Sequence, residues 1–416
     1  DAKVNYEDVF SQVRMWDNYI YNELNKRKIA IPPKKESATK TEKYAGAYVK
    51  EPIPGFYDWV VSFDLNSLYP HLIMQYNISP ETLQDTRHPA ITVDKILEKK
   101  VEIDGEYAVC ANGAQYCKDK HGFLPEMMQK MYDSRVIFKK KMIKAKQQYE
   151  KTPTVELMKE IARCNNIQMA KKISLNSAYG AIGNEHFRYY RLANAEAITL
   201  SGQVSIRWIE NRMNEYLNKL LSTEKEDYVI ASDTDSIYLN LGPLVNKFFG
   251  NKSSDKAAVV TILDKICQEK LEPFIERSYQ ELASYVSAYD QKMSMKRENI
   301  ADRGIWTAKK RYILNVWDSE GVRYKEPKMK IMGLETARSS TPAYFRDKLY
   351  AAFKIIIGKT NDELINFINV VRTETRERHY SEVAFPRGVN NLAKYRHPTE
   401  IYQKGTPIAV RGALLY

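Results

Sequence analysis

A chain of 416 residues, 44% of them hydrophobic, can bury more than one core, and at about 150 residues per domain two or three domains are expected. Charged residues make up 28%, no run of about 18 apolar residues occurs, and the amino terminus carries no basic-then-apolar leader, so neither a membrane span nor secretion is indicated and a cytoplasmic protein is expected. The net charge of +12 favours polyanionic partners without excluding an ordinary basic enzyme, and four scattered cysteines exclude a disulfide framework.

Val13, Trp16, Ile20 and Leu24 recur at helical spacing, and the helix they predict gives way at Ile31-Pro32-Pro33-Lys34-Lys35-Glu36-Ser37, a polar stretch expected to be a linker. From Val60 to Leu65 the chain reads as a buried strand in which Asp64 is the one charged residue. Asn66-Ser67 suit a helix cap and Pro70 a first helical turn, so the strand runs directly into a helix amino terminus. Residues 106–117 predict a hairpin turning at Ala111-Asn112-Gly113, with Cys110 in a strand. Cys110, Cys117 and His121 are near neighbours, but the cysteines are too widely spaced for a zinc knuckle and a fourth ligand is missing.

Between about Met127 and Tyr179 the pattern is helical with a break near Lys151-Thr152-Pro153, which predicts a basic antiparallel helix pair stopping at Gly180. A helix is expected over 195–221 and a hairpin over 228–241, turning at Ser232-Asp233-Thr234-Asp235. Beyond it come a helix over 258–285, mixed strand and loop to about 335, and helices from 342 to 378.

Asp233-Thr234-Asp235 at a hairpin tip, taken alone, reads best as a solvated polar turn. Asp64 changes the weighing, because a charge inside an apolar strand is costly unless it is paired or binds a metal. If the two strands are adjacent, the carboxylates can hold two divalent ions about 3.5–4 Å apart, an arrangement suited to in-line displacement at phosphorus. Lys172, Asn176 and Tyr179 share one helix face, and on the partner helix Arg135 and Lys139 repeat the four-residue step, a fork and a point charge suited to triphosphate oxygens. The competing reading is a pair of solvated basic faces, which suffices for Lys140, Lys141, Lys144 and Lys146. Tyr69, just past Asp64, can lie beneath a sugar and exclude a 2′-hydroxyl, or can be a core tyrosine. The helix start at Leu65, Ser67 and Leu68 offers backbone groups to a triphosphate.

Three ordered segments make the likeness specific: Asp64-Leu65-Asn66-Ser67-Leu68-Tyr69-Pro70, Lys172-Ile173-Ser174-Leu175-Asn176-Ser177-Ala178-Tyr179-Gly180, and Asp233-Thr234-Asp235-Ser236. Together they resemble motifs A, B and C of the family B DNA polymerases. Trp306-Thr307-Ala308-Lys309-Lys310-Arg311-Tyr312 and Lys330-Ile331-Met332-Gly333-Leu334-Glu335 resemble later segments of that family. Val49-Lys50-Glu51-Pro52-Ile53-Pro54, Asn77-Ile78-Ser79-Pro80-Glu81-Thr82, and Gly183-Asn184 with Phe187-Arg188-Tyr189-Tyr190 resemble the replicative enzymes of T-even-type phages.

The resemblance implies an α+β right hand with an antiparallel-sheet palm (46–125 and 181–335), two-helix fingers (126–180), an incomplete helical thumb (336–416) and a connector (1–45). It implies DNA-directed DNA synthesis with two Mg2+ ions, for which Mn2+ can substitute. Asp64, Asp235 and the Leu65 carbonyl would be metal ligands, with Asp233 beside them. Tyr69 would be the sugar gate, and Arg135, Lys139, Lys172 and Asn176 would contact the incoming nucleotide, with Tyr179 nearby. Lys309, Lys310, Arg311 and Tyr312 would contact the primer-template duplex, and Glu298 matches a further acidic residue near the metals. Two departures flank the site: Ala231-Ser232 replaces the usual Tyr-Gly, and His71 stands where serine is typical. The family's exonuclease domain is not expected in this chain, which opens on Asp1, so a fragment or one subunit of a split enzyme is expected, with a sliding clamp and a separate exonuclease-bearing chain as candidate partners. The alternatives are an idle primer-template-binding module and a metal-dependent nuclease.

Overall fold

The computed structural model describes residues 3–34, 43–250, 255–358 and 360–416; Lys35, Glu36 and Ser37 of the expected linker lie outside them. The chain divides into two units, the first running to Lys309 and including Leu314–Met329, the second made of Lys310–Ile313 and Lys330–Tyr416. Helices combine with antiparallel strands, as an α+β chain requires.

In the first unit α1 (Gln12–Lys26) begins at Ser11, whose hydroxyl accepts from the Arg14 amide at 3.4 Å. Its stripe of Trp16, Ile20 and Leu24, spaced four residues apart, is buried, each such side chain contributing roughly 1.5–3 kcal/mol. The Trp16 indole N–H donates to Ser177 Oγ at 2.9 Å and to the Ser174 carbonyl at 3.1 Å, so this segment is packed onto the later helix pair.

Strand β1 (Gly55–Leu65) leads into α2 (Leu68–Gln75), β2 (Leu83–Arg87), the one-turn α3 (Val93–Leu97), β3 (Ala108–Val109) and β4 (Ala114–Tyr116). Cys110 falls in the turn after β3 rather than in the strand; its amide donates to the Ala114 carbonyl and its carbonyl accepts from Gly113. Gly113 has φ +79°, and a Cβ there would lie 2.6 Å from the His88 carbonyl oxygen, which explains the glycine. The two long helices α4 (Phe123–Lys151) and α5 (Val155–Ile182) break at 152–154. Gly180 does not stop α5: the helix continues to Ile182 because the stop falls at Gly183.

Helix α6 (Leu192–Leu221) precedes the hairpin of β5 (Val229–Asp233) and β6 (Ser236–Asn240), whose turn is the two residues Thr234-Asp235. Helix α7 (Gly242–Phe249) follows, and α8 (Lys256–Ile266) continues through a π-helical turn (Cys267–Leu271) into α9 (Glu272–Tyr285). Strands β7 (Met295–Ala308), β8 (Arg311–Ser319) and β9 (Val322–Met332) complete a six-stranded sheet ordered β5-β6-β1-β7-β8-β9; β2, β4 and β3 form a second, small sheet.

The inner half of β1, Trp59–Phe63, is buried throughout, since β1 lies between β6 and β7 in its sheet and Trp59, Val61 and Phe63 join the core. Its pairing with β7 slips between Ser62 and Phe63: Ser62 faces Asn299, whereas Phe63 faces Arg297. Glu298 is the extra residue of that bulge.

The second unit carries α10 (Ala343–Gly358), α11 (Asn361–Glu377), the one-turn α12 (Tyr380–Val383) and α13 (Ile408–Leu415). Helix α11 starts with a capping box, in which Thr360 Oγ1 accepts from the Glu363 amide at 3.4 Å and Glu363 Oε2 accepts from the Thr360 amide at 3.0 Å. Gly333, at φ +67°, lets the backbone pass Lys310, whose carbonyl oxygen would lie 2.1 Å from an added Cβ. No helix among the described residues is long and apolar enough to cross a membrane.

Candidate active site

At the inner end of β1, Asp64 sits opposite Ser236 on β6 and Lys296 on β7. The next residue's amide, that of Leu65, donates to the Asp235 carbonyl at 2.8 Å, so the sheet ladder itself sets Asp64 beside the β5–β6 turn. The turn is held from a third side. The Thr234 amide donates to the Tyr48 carbonyl and the Lys50 amide to the Ser232 carbonyl, both at 3.0 Å, and Val49 bridges Asp233. Thr234 adopts φ +59°, a backbone state that glycine favours, and its hydroxyl donates to Asp233 Oδ1 at 3.0 Å.

Burial, then the charges of Asp235 and Glu298, push the Asp64 carboxyl well above the ordinary carboxylate range; Lys172 and Lys139 pull the other way. Asp235 is pushed up by burial, with Lys172 opposing and Asp233 and Glu298 adding to the rise. Two neighbouring carboxylates that resist ionisation, chiefly because they are buried and beside further negative charge, form a site that a hard cation relieves. Carboxylate oxygens are the hard donors that Mg2+ takes, and the pair is suited in chemistry to such an ion. No group of three His, Cys, Asp or Glu that could hold a metal occurs among the described residues, so Asp233 adds charge to the pair without closing a cage. Cys110, Cys117 and His121 likewise form no such group, and His121 is instead stacked on Tyr289 with ring centroids 5.4 Å apart.

Glu298 reaches the pair through the bulge, a device that re-aims a side chain at a sheet's working end. Its Oε2 accepts from Ser62 Oγ at 3.2 Å, and Ser62 Oγ in turn accepts from the Asn299 amide and Nδ2, both at 3.1 Å. A cavity of about 530 Å³ opens beside Asp64, lined also by Asn66, Lys139, Glu298 and Glu320.

Helix α2 starts at Ser67, which takes φ +48° and does not cap the helix with its side chain. The expected cap is replaced by a longer-range contact: Arg135 Nη1 donates to Ser67 Oγ at 2.7 Å. The Leu65 and Asn66 amides are already engaged, with the carbonyls of Asp235 and Ser294, so neither remains for a triphosphate. Leu68 and Tyr69, in the helix's first turn, have no intrahelical acceptor for their amides.

Tyr69 packs against Tyr179 with ring centroids 4.6 Å apart, and Tyr179 exchanges a hydrogen bond with the Tyr44 hydroxyl at 3.1 Å. Burial pushes the Tyr69 phenol up to about 12, and the Asp235 charge adds to the rise, which places Tyr69 at the carboxylates. On α5, Lys172 is exposed and its charge acts on both Asp64 and Asp235; Asn176, one turn on, is exposed too.

Arg135 differs from the solvated fork expected of a basic helix face. It is 8% exposed, its Nε is buried with no hydrogen-bond partner, and burial lowers its pKa. Lys139 pairs with Glu320 at 2.6 Å. Ser62, Tyr44 and Glu320 are absent from the sequence reading; the partners they meet lie more than 100 positions away along the chain, and no local pattern marks such contacts.

Both departures from the family pattern are accommodated. Ser232 is buried and donates to Glu210 Oε2 at 3.4 Å, while Glu210 Oε1 pairs with Lys50 at 2.7 Å. His71 is buried edge-on to Tyr132, its Nδ1–H donating to the Ser67 carbonyl at 3.0 Å, and burial pushes its pKa down to about 4, so it is neutral at pH 7.

Lys309 and Lys310 occupy the exposed two-residue turn between β7 and β8, with Lys309 paired to Glu51 at 3.2 Å. Arg311 meets both oxygens of Glu335, at 2.9 and 3.0 Å, and Tyr312 is buried.

A strand-borne carboxylate beside an Asp-Thr-Asp hairpin, faced by a lysine helix, defines a class, and the comparison with known proteins agrees. The family model described as DNA polymerase family B matches residues 11–260, and the chain belongs to that family. Within it the chain is similar to phage enzymes. It is 36% identical to the DNA-directed DNA polymerase of Escherichia phage RB69 and 32% identical to that of Enterobacteria phage T4, in both cases over 100% of this chain and 51% of the relative. A DNA polymerase of Pyrococcus glycovorans is 29% identical over 88% of this chain and 37% of that protein. The chain therefore spans about half the length of the phage relatives it matches.

Proposed function

We propose that this chain carries out template-directed DNA synthesis, transferring a deoxynucleotidyl group from a dNTP to a primer 3′-hydroxyl. The observation that carries the reading is the β1–β6 ladder, which sets Asp64 beside Asp235 under Lys172. On this reading Asp64, Asp235 and the Leu65 carbonyl hold two Mg2+ ions, with Mn2+ as a substitute, while Asp233 and Glu298 add negative charge. The chemistry supplied there is Lewis-acid activation of a hydroxyl and neutralisation of phosphate charge.

The chain's own side chains do the positioning. Lys172, Lys139 and Arg135 bind the triphosphate, and the partnerless Nε of Arg135 is a donor already desolvated for an anion. Amides at the α2 start, with Ser67 and Leu68, receive phosphate oxygens. Tyr69, braced by Tyr179, lies under the sugar and excludes a 2′-hydroxyl, and Asn176 completes the nucleotide's side of the pocket. Lys309 and Lys310 contact the minor groove of the duplex, where acceptors are common to all base pairs, and Arg311 and Tyr312 support their turn.

The sheet with α6 corresponds to the palm (46–125 and 181–335), α4 and α5 to the fingers (126–180), and 336–416 to thumb, after a connector (1–45). Primer-template DNA and dNTPs are the partners, with a clamp and an exonuclease-bearing chain as further ones, in the cytoplasm of a host cell. Extension of a primed template by the intact chain with Mg2+ and all four dNTPs tests the reading. A chain that binds primer-template yet adds no nucleotide is an idle holding module, and degradation without extension marks a nuclease.

A further inference from the structure

Lys139, which the proposed function assigns to the triphosphate, already has an anionic partner. Glu320 and Gly321 form the two-residue turn between β8 and β9, with φ +51° and +83°. A left-handed glutamate is uncommon, and this one is fixed at both backbone and side chain. Its amide donates to the Glu298 carbonyl at 2.7 Å, and its Oε1 accepts from Lys139 Nζ at 2.6 Å. The Gly321 carbonyl accepts from Gln147 Nε2 at 3.1 Å, so a second contact, two helical turns on, ties α4 to the same turn. The β8–β9 turn, hydrogen-bonded to the backbone of the Glu298 bulge, thus sets Glu320 at the cavity shared with Asp64 and Glu298, and its charge also acts on Arg135.

We propose that Glu320 is a built-in stand-in for the triphosphate, holding Lys139 until an incoming nucleotide takes the lysine over. The exchange follows from charge. A carboxylate offers Lys139 one negative charge, a triphosphate several, so the nucleotide wins, but only after breaking an ion pair that leaves the lysine side chain 27% and the glutamate side chain 36% exposed. Glu320 is then a specificity-determining residue: it sets the threshold a polyanion must exceed and keeps an open lysine from capturing weaker anions. The inference rests on the assignment of Lys139 to the triphosphate.

The test is equilibrium binding of dATP, and separately of inorganic tripolyphosphate, to the full chain with Mg2+. Glu320→Gln is expected to bind both about two- to fivefold more tightly than the parent, the range for a partly exposed ion pair. Glu320→Gly, which suits the left-handed turn, is expected to act in the same direction. Lys139→Ala is expected to weaken binding, and Glu320→Gln in that background to change nothing further. Unchanged or weaker binding in both Glu320 variants overturns the proposal, as does equal tightening in the Lys139→Ala background, which would mean general relief of negative charge. Tightening in a chain that extends no primer sinks the polymerase reading and leaves the exchange standing; extension without tightening sinks the exchange alone.

Discussion

Ser62 Oγ donates to Glu298 Oε2 at 3.2 Å across the step at which β1 and β7 lose register, and this bond aims the bulged glutamate at Asp64. Ser62 is fully buried, so water does not readily take the place of its hydroxyl. Ser62→Ala is expected to raise the Mg2+ concentration for half-maximal primer extension by about tenfold, the lower end for loss of a group that orients a metal site. Glu298→Gln should move it the same way. A Mg2+ titration of extension rate checks both, and an unchanged midpoint would reduce Glu298 to a palm hydrogen bond.

The raised pKa values of Asp64 and Asp235 fix the sign of a stability effect. In the folded chain both carboxyls hold their protons more tightly than in the unfolded one, so their stabilising contribution is complete below the ordinary carboxylate pKa and is lost as pH rises through the raised folded values. Without divalent cations the melting temperature should therefore fall from weakly acidic to weakly alkaline pH. Asp64→Asn should flatten that fall and raise the melting temperature at pH 8 by on the order of 2 °C. Mg2+ binds the ionised pair, so its stabilisation should grow with pH and vanish in the variant. Thermal melts in chelator and in Mg2+ decide this, and a variant no more stable than the parent at pH 8 would contradict it.

Much of this site is legible from the residues. A lone aspartate in an apolar run predicts a costly buried charge, and the Asp-Thr-Asp turn, a solvated turn when taken alone, gains a second reading once a neighbouring strand brings Asp64 to it; the ladder does so by pairing β1 with β6, Asp64 opposite Ser236. What is not legible involves partners far apart in sequence. Ser67 suits an N-cap by composition, yet its hydroxyl serves Arg135, since the left-handed backbone at Ser67 turns it away from the helix. Gly180 suits a helix stop, but it lies inside α5, where a Cβ would come within 2.6 Å of Gln12 Oε1. The Glu298 bulge is a register slip between two strands, and neither strand carries it alone.

Tyr69 is braced by Tyr179, and its ring lies 3.4 Å from where a Cβ on Gly202 would be, so it has little room to swing aside. Tyr69→Ala should raise ribonucleotide incorporation by roughly 10–100-fold relative to deoxynucleotide incorporation, as expected when a steric contact worth about 1–3 kcal/mol is removed. Competition of each rNTP with its dNTP measures it. Unchanged sugar discrimination would reassign the ring to packing.

Lys172 faces the carboxylates from α5 and is exposed. Lys172→Ala should raise the dNTP concentration needed for extension by about tenfold or more, the scale of a charge-assisted hydrogen bond, with primer-template affinity nearly unchanged. Separate measurement of nucleotide KM and DNA Kd checks this, and the reverse pattern would place Lys172 on the template.

The most direct test of shared ions is a double-substitution comparison at Asp64 and Asp235 under single-turnover primer extension with saturating Mg2+. If the two carboxylates act as one unit, Asp64→Asn and Asp235→Asn should each lower the rate by ~10⁴-fold or more, and the double variant should be scarcely slower than either, the non-additivity seen when catalytic groups work together. Losses that multiply in the double variant, or a single variant that extends at nearly the parent rate, would show that the two residues do not share the reaction.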